Sequence, residues 1–223
     1  MKKNILPYLT CIIFLLVFTS CRQDGPAPIR NVKAGPKLLR AQAGGSFTNH
    51  TYMAGHNERV LGNVYTRQIL VSFANGLSAA EEQAALAQYS FVAGETAQAA
   101  LSTGILHRVA LRDGLNPNQV EQALQELALD PNINYAAPCF LDGERLVGVS
   151  NQVTVTLEKG QLAELQNLAK QYQAEVLHSP VEGRYIMKVN KSSKGNALAF
   201  ANFLQGKKGI AEANIDFVVS EQN

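Results

Sequence analysis

Four histidines, three cysteines and eighteen carboxylates are the side chains with chemistry to offer, as metal ligands, nucleophiles or proton carriers. His50, His56, His107 and His178 are scattered, with no His-Glu-x-x-His run and no carboxylate cluster beside them, so no metal is expected. Cys11, Cys21 and Cys139 contain no Cys-x-x-Cys pair, which excludes a zinc ribbon, a thioredoxin-type redox motif and a disulfide-stapled miniprotein. Cys139 stands in an apolar stretch, where a thiol fills a small buried site more often than it attacks a substrate. Gly-x-Gly-x-x-Gly and Walker-type runs are missing, so no nucleotide and no other cofactor is expected. Twenty basic against eighteen acidic residues give a net charge of +2, far too little for nucleic-acid binding by bulk electrostatics. The residue types point to a chain that is not an enzyme and takes no small-molecule substrate.

What remains must be read from organisation. With 46% hydrophobic residues and no Trp among 223 positions, the chain has the composition of an ordinary globular protein. Its start is different. Lys2 and Lys3 precede a continuous apolar run from Ile12 to Phe18, a pattern of export signals that is too short for a permanent membrane span. Phe18-Thr19-Ser20-Cys21 resembles the lipobox of bacterial lipoproteins, which implies cleavage after residue 20 and lipidation of Cys21. Arg22 follows where an Asp would resemble an inner-membrane retention signal, so the resemblance implies an outer-membrane or surface lipoprotein of a diderm bacterium. Residues 22–60 hold six basic and two acidic residues, leaving 61–223 net negative by four. With Gly25-Pro26-Ala27-Pro28, Gly35-Pro36 and Gly44-Gly45 and no apolar periodicity, residues 21–65 read as a flexible tether.

From Gln68 the same pattern of elements occurs twice. Ile69, Val71 and Phe73 alternate as a strand, Asn75-Gly76 makes a turn, and Ser78-Ala79-Ala80-Glu81 is a capping box opening a helix that runs to about Tyr89. A loop with Gly94 and Gly104 leads to a strand from Ile105 to Leu111. Asn116-Pro117 then starts a helix whose Val120, Ala123, Leu124 and Leu127 recur at i, i+3, i+4 and i+7. Asp130-Pro131 stops it, and Ile133 to Phe140 closes the first unit. In the second unit Val153, Val155 and Leu157 alternate as a strand, Gly160 matches Gly76, and Leu162, Leu165, Leu168, Ala169 and Tyr172 line one helix face. Strands at Glu175–His178 and Arg184–Val189, a helix through Ala197, Phe200, Ala201 and Leu204, and a strand from Ile210 to Phe217 complete it. The fold expected is α+β, two tandem ferredoxin-like βαββαβ domains at 66–141 and 151–223, with 142–150 as connector and one sheet face of each left open.

Two stretches are similar to a known family. Gln68-Ile69-Leu70-Val71-Ser72-Phe73 with Gly76, and Leu127-Ala128-Leu129-Asp130-Pro131-Asn132-Ile133-Asn134-Tyr135-Ala136-Ala137-Pro138-Cys139-Phe140, resemble the fervidolysin-type N-terminal prodomain of secreted subtilisin-like proteases. Ala137 and Cys139 depart from the family's Tyr-Ala-Glu-Pro-Asn-aromatic run, and the second unit matches more loosely through Ile210, Glu212-Ala213-Asn214 and Asp216-Phe217. No Asp-Ser/Thr-Gly, His-Gly-Thr or Gly-Thr-Ser motif of the protease itself occurs. The resemblance implies a free-standing, non-catalytic partner that binds, inhibits or helps to fold an extracytoplasmic subtilisin-like serine protease. In that family the open sheet meets the protease surface and the C-terminal tail lies in its cleft. The contact residues so implied are Tyr135, Pro138 and Phe140 in the closing strand and Phe217, Val218, Val219 and Ser220 in the tail. The rival expectation is an adaptor that uses the same sheets to bind an unrelated protein, or a relict of a protease precursor.

Overall fold

The computed structural model describes residues 48–55, 57–177 and 181–221, all within one compact unit. The export signal, Cys21 and the tether as far as residue 47 lie outside the described residues, as do His56 and His178. No helix among the described residues is long and apolar enough to cross a membrane.

The last part of the expected tether is folded. Strands β1 (His50–Ala54) and β2 (Asn57–Gly62) form an antiparallel hairpin. Its signal was weak because β2 shows four exposed residues in a row, Asn57 to Val60, and β1 no fully buried one.

The first βαββαβ unit runs β3 (Gln68–Phe73), α1 (Ala79–Ala87), β4 (Val92–Leu101), β5 (Gly104–Leu111), α2 (Pro117–Ala128) and β6 (Ile133–Asp142). The second runs β7 (Arg145–Leu157), α3 (Leu162–Tyr172), β8 (Glu175–Leu177), β9 (Arg184–Lys188), α4 (Ala197–Leu204) and β10 (Ile210–Glu221). Their strand orders, β4-β5-β3-β6 and β8-β9-β7-β10, are the same permutation, the second, third, first and fourth strand of each unit. That order, with both helices of a unit on one face, is the ferredoxin-like fold. The expected capping box of Ser78 with Glu81 opens α1, and Asn116, expected as an N-cap, forms a second box with Gln119 at α2. In the second unit Asn196 caps α4 through its side chain, whereas Gln161 makes no such bond at α3.

Three further stretches differ from the sequence reading. Residues 92–101, read as loop, are β4, an edge strand with bulges between Val92 and Gly94 and between Glu95 and Ala97. Those bulges break the period-2 pattern by which strands are recognised. The expected connector, 142–150, is a tight turn at Gly143-Glu144 and the first half of β7, so β6 and β7 form a hairpin from Cys139↔Gly148 to Asp142↔Arg145. The expected tail after Phe217 is the continuation of β10, which pairs with β7 as far as Glu221↔Arg145.

The two sheets are therefore one eight-stranded sheet, and β7 carries the join. Its first residues pair with β6, its last with β9, and β10 follows its whole length on the other edge. The sheet curls back on itself there. Gly148 of β7 lies so close to Leu70 of β3 that a Cβ would come within 2.6 Å of Leu70 Cδ1 and 3.2 Å of Cys139 Sγ. At the β4–β5 turn, Thr103 donates to Asn151 Oδ1 at 2.6 Å and Ser102 to Gln152 Oε1 at 2.5 Å. Arg108 of β5 reaches the carbonyl of Val219 in β10 at 3.3 Å. Strands of the second unit thus cross the face of the first sheet that its own helices do not cover.

Candidate binding surface

Cross-strand partners share a sheet face, so the register sorts the residues. In the first unit Ile69, Val71, Val109 and His107 face α1 and α2, while Leu70, Arg108, Ala137 and Tyr135 face away. The apolar part of the outward face is buried: Leu106 and Ala137 are 0% exposed and Tyr135 3%, while Arg108 is partly buried. The expectation of an open sheet face fails for this unit, because the second unit occupies it.

Tyr135 holds the join. Its hydroxyl donates to the Ser150 carbonyl at 2.6 Å. Burial raises its phenol well above the ordinary range, against the lowering influence of the Ala197 backbone N–H at the start of α4. Pro138 and Phe140 are also buried, Phe140 completely, so three of the seven residues implied as protease contacts are core residues. The other four lie in β10, where Phe217↔Val149, Val218↔Gly148, Val219↔Val147 and Ser220↔Leu146 are pairs of the sheet. Val218 is buried, Phe217 and Ser220 half-buried, and Val219 is 51% exposed. These residues are a strand of the sheet, paired with β7 along one edge, rather than a free tail.

Cys139 is buried, and loss of solvent pushes its thiol up to about 12, which leaves it protonated and unreactive. His107 is buried with Nδ1 3.1 Å from Glu95 and Nε2 3.9 Å from Glu82, and Phe73 meets its ring edge-on. Its two nitrogens face separate carboxylates, which ties α1 to β4 and leaves no common ligand position. No group of three metal-ligating side chains occurs among the described residues. Asp130, the stop of α2, is a buried structural carboxylate that accepts from Gln88 at 2.5 Å, Tyr89 at 2.7 Å and the Asn132 backbone N–H at 2.8 Å.

The second unit keeps part of its outward face in solvent. Three cross-strand rows define the face: Glu175, Lys188 and Gln152, the last buried at the join with the first unit; Leu177, Ile186, Thr154 and Asn214; Arg184, Thr156 and Glu212. An apolar middle row, Leu177 and Ile186, is flanked by rows carrying charges of both signs. Asp216 organises one side by accepting from Thr154 at 2.9 Å and from Gln152. Sequence reasoning named the second face as open but singled out none of these residues, since alternation alone does not say which residues face outward without a known register.

No family model matches the chain, and no curated protein matches its sequence. Among solved structures it is similar to the small subunit of acetolactate synthase from Thermotoga maritima, at 15% identity and a TM-score of 0.27, over 70% of this chain and 97% of that one. At that score the fold assignment rests on the strand order and pairing of the chain itself.

Proposed function

We propose that this chain is a non-catalytic binding protein of the cell envelope, anchored through Cys21, whose partner docks on the outward sheet face of the second unit. The observation that carries the reading is the contrast in burial between the two outward faces: Leu70, Leu106 and Ala137 are sealed, whereas Thr154, Thr156 and Ile186 are only partly buried and Glu175, Arg184 and Glu212 beside them are exposed. An apolar middle between polar rows suits a protein surface, where a dry centre is ringed by hydrogen-bonding groups. The prodomain resemblance supplies the partner, a subtilisin-like serine protease, because in that family the open sheet meets the protease. Tail insertion is not part of this reading, since Phe217 to Ser220 are held by β7. The partner is therefore held or helped to fold while its cleft stays free.

The test is to titrate residues 22–223, without lipid, against subtilisin-like proteases, following complex formation by size exclusion and turnover of a small peptide substrate. A stable complex with turnover retained, abolished by Ile186→Arg, is the expected result. Absence of a complex, or inhibition that depends on residues 218–221, overturns the reading.

A further inference from the structure

The β1–β2 hairpin lies over an apolar strip that it does not share a sheet with. The register places Phe140, Val147 and Val219 in one row and Val149 and Phe217 in the next, all on one face. β1 sets the His50 ring 5.2 Å from Phe140 and the Tyr52 ring 5.2 Å from Phe217. At its edge, Asn202 of α4 accepts from Met53 N–H and donates to the Thr51 carbonyl, both at 3.1 Å. A carbonyl at i and an N–H at i+2 point the same way along a strand, so one carboxamide reads β1 as a neighbouring strand would. Toward the first unit, Glu121 of α2 accepts from Thr48 at 3.3 Å and pairs with His50 at 3.0 Å.

Apart from Tyr52 and Leu61, which pack against the core, these fixings are shallow: none of the β1 residues is fully buried, and Asn202 and Thr48 are exposed. A two-stranded hairpin has marginal stability alone. Beneath it, Phe140 and Val149 are 0% exposed. Elements with sparse burial over a firm core open locally, below the free energy of global unfolding.

We propose that the hairpin is a releasable strap, and that the strip beneath it is a strand-binding site whose present occupant, β1, is the chain's own stand-in for an external ligand. The ligand is an extended segment with rings at alternate positions, as His50 and Tyr52 are, its backbone read by Asn202. Val219, exposed at the uncovered end of the strip, gives an incoming segment a place to begin. The site lies on the helix-bearing side of β7, opposite the face proposed for the protease, and does not depend on that reading.

The test uses the whole chain and a labelled peptide with the sequence of residues 48–54. Tyr52→Ala removes one ring of the occupant and leaves the site intact. Amides of β1 and β2 should then exchange roughly tenfold faster or more, the effect of losing about 1.4 kcal/mol of local stability, with β3 and β7 unchanged. The peptide should bind the Tyr52→Ala chain saturably and more tightly than the natural chain. Adding Asn202→Ala should remove that gain. The proposal is overturned if strap and core amides accelerate together, if the peptide binds neither chain, or if binding ignores Asn202.

Discussion

The two units share a strand order and differ in what their outward sheet faces carry. Leu70, Leu106, Ala137 and Tyr135 make the first face apolar, and it is covered from within the chain by Gly148 and Val218. Thr154, Thr156, Arg184 and Lys188 make the second face polar around a small apolar row, and much of it meets solvent. Topology is thus silent about partnership. The side chains of alternate strand positions decide whether a face becomes core or surface. The polar seam of Thr103 with Asn151 and Ser102 with Gln152 adds directional bonds that fix how the units meet.

The largest difference between the two faces is expected at Gly148. Gly148→Val drives methyl groups into Leu70 and Cys139 and should cost about 3 kcal/mol by overpacking. Thr156→Val, on the same face of the same strand but outside the contact, should change stability by no more than about 0.5 kcal/mol. Urea unfolding of both variants measures the difference. Two buried tyrosines should differ next. Tyr135→Phe leaves the Ser150 carbonyl without its donor and should cost about 1–3 kcal/mol. The buried Tyr172 hydroxyl has no hydrogen-bond partner among the described residues, so Tyr172→Phe should be neutral or stabilising.

Alkaline pH probes the same groups together. Burial pushes the Cys139 thiol and the Tyr172 phenol up to about 12, and Tyr135 higher still, while an unfolded chain would release these protons near pH 8.5 and pH 10. The folded chain then binds more protons than the unfolded one, so stability should fall progressively above about pH 8.5. Thermal melts across pH 7–11 should show that fall, and Tyr135→Phe should reduce its slope above pH 10. The smallest contrast is at helix starts. Ser78→Ala should cost about 1 kcal/mol by opening the α1 capping box, whereas Gln161→Ala, which loses no cap bond, should cost a few tenths at most.

Both repeats, all four helices and most strands were legible in the sequence, because capping boxes and i, i+3, i+4, i+7 stripes such as Val120-Ala123-Leu124-Leu127 are local signals. What was illegible is non-local. Nothing in Gly148 or Tyr135 says that a strand from the second unit lies over the first, and the run from Phe217 to Glu221 ends like a tail until its pairing with Arg145 to Val149 is seen. The same limit hid the binding surface. Register, not composition, brings Leu177, Ile186 and Thr154 into one row. The hairpin at 50–62 escaped because its cohesion comes from Asn202 and Glu121, some 150 and 70 residues away.

The two units meet through the first unit's outward face and should therefore unfold as one body. The chain has no Trp, so single reporters can be placed at half-buried positions in each unit, Leu124→Trp in α2 and Phe203→Trp in α4. Equilibrium urea unfolding followed at each reporter should give coincident transitions with the same midpoint and slope. Two separated transitions, with the α4 reporter unfolding while the α2 reporter remains native, would contradict it.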